Sequence, residues 1–141
     1  PLPGLRLEVS EVTRQGLRAS KVSAVFEGKE PTFRTLGQVK EALRGSNLDH
    51  ALLQGAGRAF ERLAAAEAAA HGGTPGTVHF HELGSADTLV DVVGTLYGWR
   101  ALGIGRAFAG PVNVGGGTVH TDHGLFPVPA PATGPARWSP T

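Results

Sequence analysis

The run from Leu48 to Ala70 constrains the fold more than any other part of this chain. Its apolar residues Leu48, Leu52, Ala56, Ala59, Phe60, Leu63 and Ala70 recur at helical spacing. Asn47 can cap the start, and Gly72-Gly73 supplies the stop. Gly55 and Gly57 weaken the first half, whereas Ala64 to Ala70 is strong helix former. A face this rich in alanine is explained by close packing on a neighbouring element. With 141 residues the chain amounts to about one domain, with a real but modest core.

The flanks divide into short elements. Leu5 to Val9 alternates apolar and polar residues, a β-leaning run covers Leu17 to Phe26, and Gln15-Gly16 lies between them. Residues 5–26 are therefore a predicted hairpin. Thr35 to Leu43 has Leu36, Val39, Ala42 and Leu43 at helical spacing and ends at Gly45. Thr77 to His81 is a predicted strand, with Val78 and Phe80 on one face and Thr77, His79 and His81 on the other. Leu83-Gly84-Ser85 then turns into a helix of about 15 residues ending near Leu102. Its apolar side is Leu89, Val92, Val93 and Leu96; Asp87, Asp91, Gly94 and Gly98 form a second stripe. Arg106 to Val114 is a further predicted strand. The expected class is α/β: a small mixed sheet with a β-hairpin, a helical pair and a βαβ unit, and a loop-rich C-terminal third. The 21 glycines and 10 prolines exceed average usage and cluster towards that third, where Gly115 to Gly124 is expected as a loop and Leu125 to Pro131 as an extended, polyproline-like segment.

Composition narrows the function. The net charge is +1 with lysine and arginine scattered, so no basic stripe points to nucleic acid. No apolar run approaches the roughly 20 residues that cross a bilayer, and no signal-peptide pattern opens the chain, which points to a soluble intracellular protein without a membrane partner. With no cysteine, any metal must take nitrogen and oxygen from His, Asp and Glu.

Those residues concentrate between Thr77 and Gly94. His79 and His81 at i,i+2 on one strand face have the spacing of a two-imidazole metal site; Glu82 follows at the strand end, and Asp87 and Asp91 lie one helical turn apart. Such donors suit Ni, Zn, Mn or Fe. The plainer alternative is an exposed polar sheet face, with Asp87 favouring the positive end of a helix. Gly84-Ser85-Ala86 offers helix N-terminal N–H groups to an anion such as phosphate, as every helix start can. Gly115-Gly-Gly117 is no dinucleotide fingerprint, because it does not open a helix. His120 and His123 add imidazoles on an open loop, while His50 and His71, standing apart near helix ends, are expected to be structural. A metal-dependent hydrolase using His79, His81 and Asp91 around an activated water fits the same residues, as does a non-catalytic domain whose Pro-rich tail binds a partner.

Three blocks, Val78 to Gly94, Pro111 to His120 and His123 to Thr133, together resemble the LarC family, the nickel-insertion proteins of nickel-pincer cofactor biosynthesis. The resemblance implies insertion of nickel into pyridinium-3,5-bisthiocarboxylate mononucleotide, with formation of a carbon–nickel bond and hydrolysis of CTP with Mn or Mg. Its implied product is the cofactor of lactate racemase and related enzymes, whose apo forms are the implied protein partners in the cytoplasm. Within it His79, His81, Glu82, Asp87 and Asp91 are assigned to metal, and Gly84, Ser85, Asn113, His120 and His123 to substrate; no catalytic residue is assigned. Three departures accompany the likeness. The family's usual first strand and Asp/Ser/Gly-rich loop would precede Pro1, Glu27 to Arg34 lacks the histidine tract frequent in relatives, and the family's CTP-binding C-terminal domain has no counterpart. Residues 1–133 are thus expected to be the N-terminal, substrate- or nickel-handling domain, with 134–141 an irregular tail. Turnover as a nickel chelatase, a cyclometallase of the lyase class, is expected of the full-length protein rather than of this domain. The Ala-rich helix and a missing edge strand would favour a homo-oligomer.

Overall fold

The computed structural model describes residue 2 and residues 4–81, 83–121 and 124–133. Strands β1 (Leu5–Arg14) and β2 (Leu17–Phe26) pair antiparallel in unbroken register from Leu5↔Phe26 to Arg14↔Leu17. Gln15 and Gly16 form the turn with φ of 48° and 82°, the left-handed pair that the twist of a tight hairpin requires. Leu5, Leu7 and Val9 share one face with Phe26, Ala24 and Val22, so the base of the hairpin has an apolar side.

Helix α1 (Leu36–Arg44) starts at Thr35, whose hydroxyl accepts from Gln38 N, and stops at Gly45. Helix α2 (His50–His71) is the long helix expected, ended by Gly72 in the left-handed conformation at φ 70°. Its cap is Asp49, not Asn47. The Asp49 carboxylate accepts from Ala51 N and Leu52 N at 3.0 and 3.1 Å and also pairs with Arg100, so one side chain both closes α2 and ties it to α3 (Ala86–Ala101). Lys40 and Glu61, 2.6 Å apart, join α1 to α2 in the same way.

The core lies along α2. Ala56 and Ala64 are fully buried, with Leu52, Phe60 and Ala68 on the same stripe; Val39 and Leu43 of α1 and Leu89 of α3 pack there too. Ala70, expected on that line, is instead exposed. The alanine face does what its composition predicts, letting neighbours approach closely. At Gly55 an added Cβ would lie 3.2 Å from a methyl of Leu96, so α3 packs closely on α2 at that glycine.

The content is mixed α and β, as expected, but the βαβ unit is not formed. The described residues contain two separate antiparallel pairs, β1–β2 and β3 (Thr118–Thr121) with β4 (Gly124–Pro127), and no parallel sheet. Thr77–His81 keeps the alternation of a strand, with Val78 and Phe80 buried and Thr77, His79 and His81 exposed. It is held by single bonds instead of a ladder: Phe80 N donates to Arg34 O, and Phe33 N donates to Gly84 O. Residues 106–114 have no strand partner among the described residues, and Phe108 and Val112 lie exposed. The Gly115–Gly124 stretch expected as a loop carries the β3–β4 hairpin, because Val119↔Phe126 and Thr118↔Pro127 pair β-favouring residues and place proline at the last position. A 3-10 turn (Pro131–Thr133) follows and contacts α2. Residues 134–141, the expected tail, lie outside the described residues. No helix among the described residues is long and apolar enough to cross a membrane.

Two measurements test this packing. A Cβ at Gly84 would lie 2.3 Å from Phe33 O, whereas one at Gly94 meets nothing within 4 Å. Gly84→Ala should therefore cost about 3 kcal/mol in urea unfolding, and Gly94→Ala should gain about 0.5–1 kcal/mol by raising helix propensity. The Asp49 carboxyl is held below its ordinary value of 3.8, first by the Leu52 N–H and then, against desolvation, by Arg100 and the Ala51 N–H. Its contribution is complete above the unfolded value and is lost as pH falls through the lower folded one. Asp49→Asn, which can still cap, should flatten the acid limb of a stability–pH profile below about pH 4.

Candidate functional site

The C-terminal end of α2, the extended 77–81 segment and the β3–β4 hairpin bring the polar residues together. Phe80 sets the position of the segment: 2 % exposed, it lies 6.4 Å from Phe60, ring centre to ring centre, in a tilted pair. With Val78 and Phe80 buried inwards, His79 and His81 must project outwards. Both line a cavity of about 160 Å³ with Thr32, Arg34 and Phe80. Arg34 lines that cavity too, and its backbone N–H is fixed by Gln38 Oε1 at 2.7 Å.

His81 has a second imidazole neighbour. Its ring centre is 5.8 Å from that of His71, the last residue of α2. His71 Nε2 lies 3.3 Å from Glu67 Oε2, one turn back on the helix. Glu67 is 9 % exposed and is the one buried charged residue among the described residues. Glu67 and His71 also line a cavity of about 250 Å³ with Thr121, Phe126, Pro131 and Ala132. In sequence alone His71 is a helix-end residue and Glu67 one polar position inside the alanine run. The available signal was their i,i+4 spacing, which puts a carboxylate and an imidazole on one helix face.

The other expected site residues divide. Asp87 and Asp91 are exposed on α3 and do not line the His79–His81 cavity. Ser85 caps α3, its hydroxyl accepting from Thr88 N at 3.3 Å. Ala86 N, one of the N–H groups expected to face an anion, donates to Glu30 Oε1 at 3.1 Å, so the protein's own carboxylate already sits at this helix start. Gly84 is accounted for by the close approach of Phe33 O. Asn113 Oδ1 accepts from Gly115 N at 2.9 Å, organising its own turn. His120 is exposed on β3 opposite Leu125. Glu82 and His123 lie outside the described residues. Among the described residues, no three His, Asp or Glu side chains converge on one point in the manner of a closed metal site.

What the fold and site define is a small α/β domain with exposed imidazoles gathered around one end of its long helix. The chain belongs to the nickel insertion protein family, which it matches over residues 1–135. A Thermotoga sp. strain RQ2 protein named pyridinium-3,5-bisthiocarboxylic acid mononucleotide nickel insertion protein is 40% identical over 139 residues, covering 89% of this chain and 34% of the relative. One of the same name from Thermotoga petrophila is 39% identical, over 90% of this chain and 34% of its own length. A Thermomicrobium roseum protein, provisionally named for nickel insertion, is 41% identical over 92% of this chain and 32% of its own. The chain thus spans about a third of the length of these relatives. No solved structure matches it.

Because Phe80 fixes both histidines, Phe80→Ala should cost about 3–5 kcal/mol. It should also broaden or shift the His79 and His81 ring resonances in NMR spectra while leaving that of His50, at the far end of α2, in place.

Proposed function

We propose that this chain is the nickel- and substrate-handling part of a nickel insertion protein, receiving nickel as cargo for transfer to pyridinium-3,5-bisthiocarboxylate mononucleotide. The observation that carries this reading is the pair His79 and His81, displayed together beside Arg34 in a chain whose family is named for nickel insertion. Neutral imidazoles bind Ni²⁺ well, and an open two-nitrogen arrangement leaves coordination positions for an incoming ligand. The chain has no thiol of its own. In this scheme the soft donors come from the thiocarboxylates of the substrate, which draw the cation from nitrogen to sulfur.

Asp87 and Asp91, exposed one turn apart, are assigned to capture of the aquated cation, and Glu82 and His123 remain in the proposed ligand and substrate sets. Arg34, which lines the same cavity, is assigned to attract the substrate's phosphate or carboxylate groups, the part that the α3 start would fill only by displacing Glu30. Gly84, Ser85, Asn113 and His120 then act on substrate through the shape of the surrounding loops. CTP, with Mn or Mg, belongs in this proposal to the full-length protein, and delivery to apo lactate racemase or a related enzyme follows in the cytoplasm.

Calorimetry on this chain with nickel, zinc and manganese checks the reading. Wild type should bind nickel, and the double variant His79→Ala/His81→Ala should lose at least tenfold in affinity with its circular dichroism unchanged. Absence of binding by wild type, or equal binding by the variant, would sink it. With the full-length protein, CTP and sulfurated precursor, the same substitutions should abolish activation of apo lactate racemase.

A further inference from the structure

Lys40, Arg44 and His50 are scattered along the sequence, but the fold gathers them. They line one cavity of about 260 Å³ between α1 and α2, with Gln54 beside them and Leu43, Leu53 and Gly57 as an apolar floor. Lys40, Leu43 and Arg44 follow helical spacing on α1, and His50, Leu53, Gln54 and Gly57 follow it on α2, so two facing helix stripes make the walls. This groove shares no residue with the His79–His81 cavity. Its charges do not cancel. Like charges four residues apart on a helix repel, as Lys40 and Arg44 do. Glu61 answers Lys40 at 2.6 Å, whereas among the described residues no carboxylate pairs with Arg44 and none lines the groove. His50 adds an imidazole whose Nε2 lies 3.4 Å from the amide nitrogen of Gln54. Gly57 is a second, independent sign. Glycine inside a helix costs stability. At Gly55 the close approach of Leu96 accounts for it, but a Cβ at Gly57 would meet nothing within 4 Å. The space above Gly57 is thus left open by the protein itself.

We infer that the groove between α1 and α2 binds a nucleotide through its phosphate. Arg44 is the anchor, because a guanidinium offers two phosphate oxygens a planar fork and this one has no carboxylate to give up. Lys40 and His50 flank the anion from either wall, and a bound phosphate relieves the repulsion between Lys40 and Arg44. The cavity has room for more than a phosphate. Leu43, Leu53 and the bare backbone at Gly57 suit a sugar and the face of a flat ring, the apolar part that a free phosphate lacks. This site stands apart from the nickel-handling reading: it collects cationic side chains, and it would hold with or without nickel at His79 and His81.

The test is titration of the 141-residue chain with cytidine monophosphate, nicotinate mononucleotide, inorganic phosphate and cytidine, followed by calorimetry and amide NMR. Both nucleotides should bind, shifting amide signals in the last turn of α1 and the first two turns of α2. Cytidine and inorganic phosphate should each bind at least about tenfold more weakly, since each lacks one half of the contact. Arg44→Gln should weaken nucleotide binding about tenfold. Gly57→Leu, whose side chain enters open space and whose helix propensity is higher, should block binding without loss of stability. Arg14→Gln, an equal loss of charge at the exposed end of β1, should bind as wild type. Tighter binding of nicotinate mononucleotide would name the pyridinium substrate as the occupant, and tighter binding of cytidine monophosphate a separate nucleotide. The site is wrong if wild type binds neither nucleotide, or if Arg44→Gln and Gly57→Leu bind as wild type does. Equal weakening by Arg14→Gln also overturns it, because that pattern belongs to diffuse attraction by net charge. Inorganic phosphate binding as tightly as the nucleotides would overturn the role of the apolar floor.

Discussion

The contact between Phe60 and Phe80 holds the molecule's two kinds of structure together. Phe60 stands in the middle of α2 and Phe80 in a segment with no sheet of its own, so their mutual burial substitutes for the strand pairing that segment lacks. Burying a phenylalanine contributes about 1.5–3 kcal/mol, more than the few isolated backbone bonds that flank Phe80. The alanines of α2 make the contact possible by letting α1, α3 and the 77–81 segment approach one cylinder closely. Position of the imidazoles is therefore a consequence of core packing, not of a rigid sheet.

Three carboxylates show how differently the same group can be used. Asp49, half-exposed, caps α2 and pairs with Arg100 of α3. Glu30 reaches from a loop to the start of α3, where backbone N–H groups would otherwise lack partners. Glu67 alone is withdrawn from solvent, and its partner is an imidazole rather than the backbone. The first two secure helix ends. Only the third is buried against another side chain of its own helix.

Local signals made much of this fold legible. The hairpin with its Gln15-Gly16 turn, the three helices and the Gly72 stop follow from alternation, periodicity and left-handed glycine chemistry, which act within a few residues. The inward Val78 and Phe80 and outward His79 and His81 were legible for the same reason. The missing βαβ unit was not, because alternation records which face is buried and says nothing about whether a neighbouring strand exists to pair with. The β3–β4 hairpin was hidden by the prolines around it, although Pro127 lies at a strand end where no donor is needed. At the site, sequence proximity singled out residues 79 to 91, whereas the fold joins His81 to His71 across the turn at Gly72 and Gly73. No spacing rule reports an approach made through tertiary packing.

The β1–β2 hairpin has one further effect. Two strands of ten residues expose two long edges, and neither is paired among the described residues. Exposed edges invite strand addition from other chains. Here Arg6, Glu8, Glu11, Arg14, Arg18 and Lys21 punctuate both strands, with Arg6–Glu8 and Arg18–Glu11 paired at 2.8 and 3.1 Å. A second copy adding to either edge would have to desolvate or mismatch those charges. The guard is electrostatic and exposed, so its strength is set by ionic strength: a Debye length of about 10 Å at 0.1 M salt shrinks to about 3 Å at 1 M. Colloidal behaviour of this domain is thus governed by salt, even though its core is built from alanine, leucine, valine and two phenylalanines.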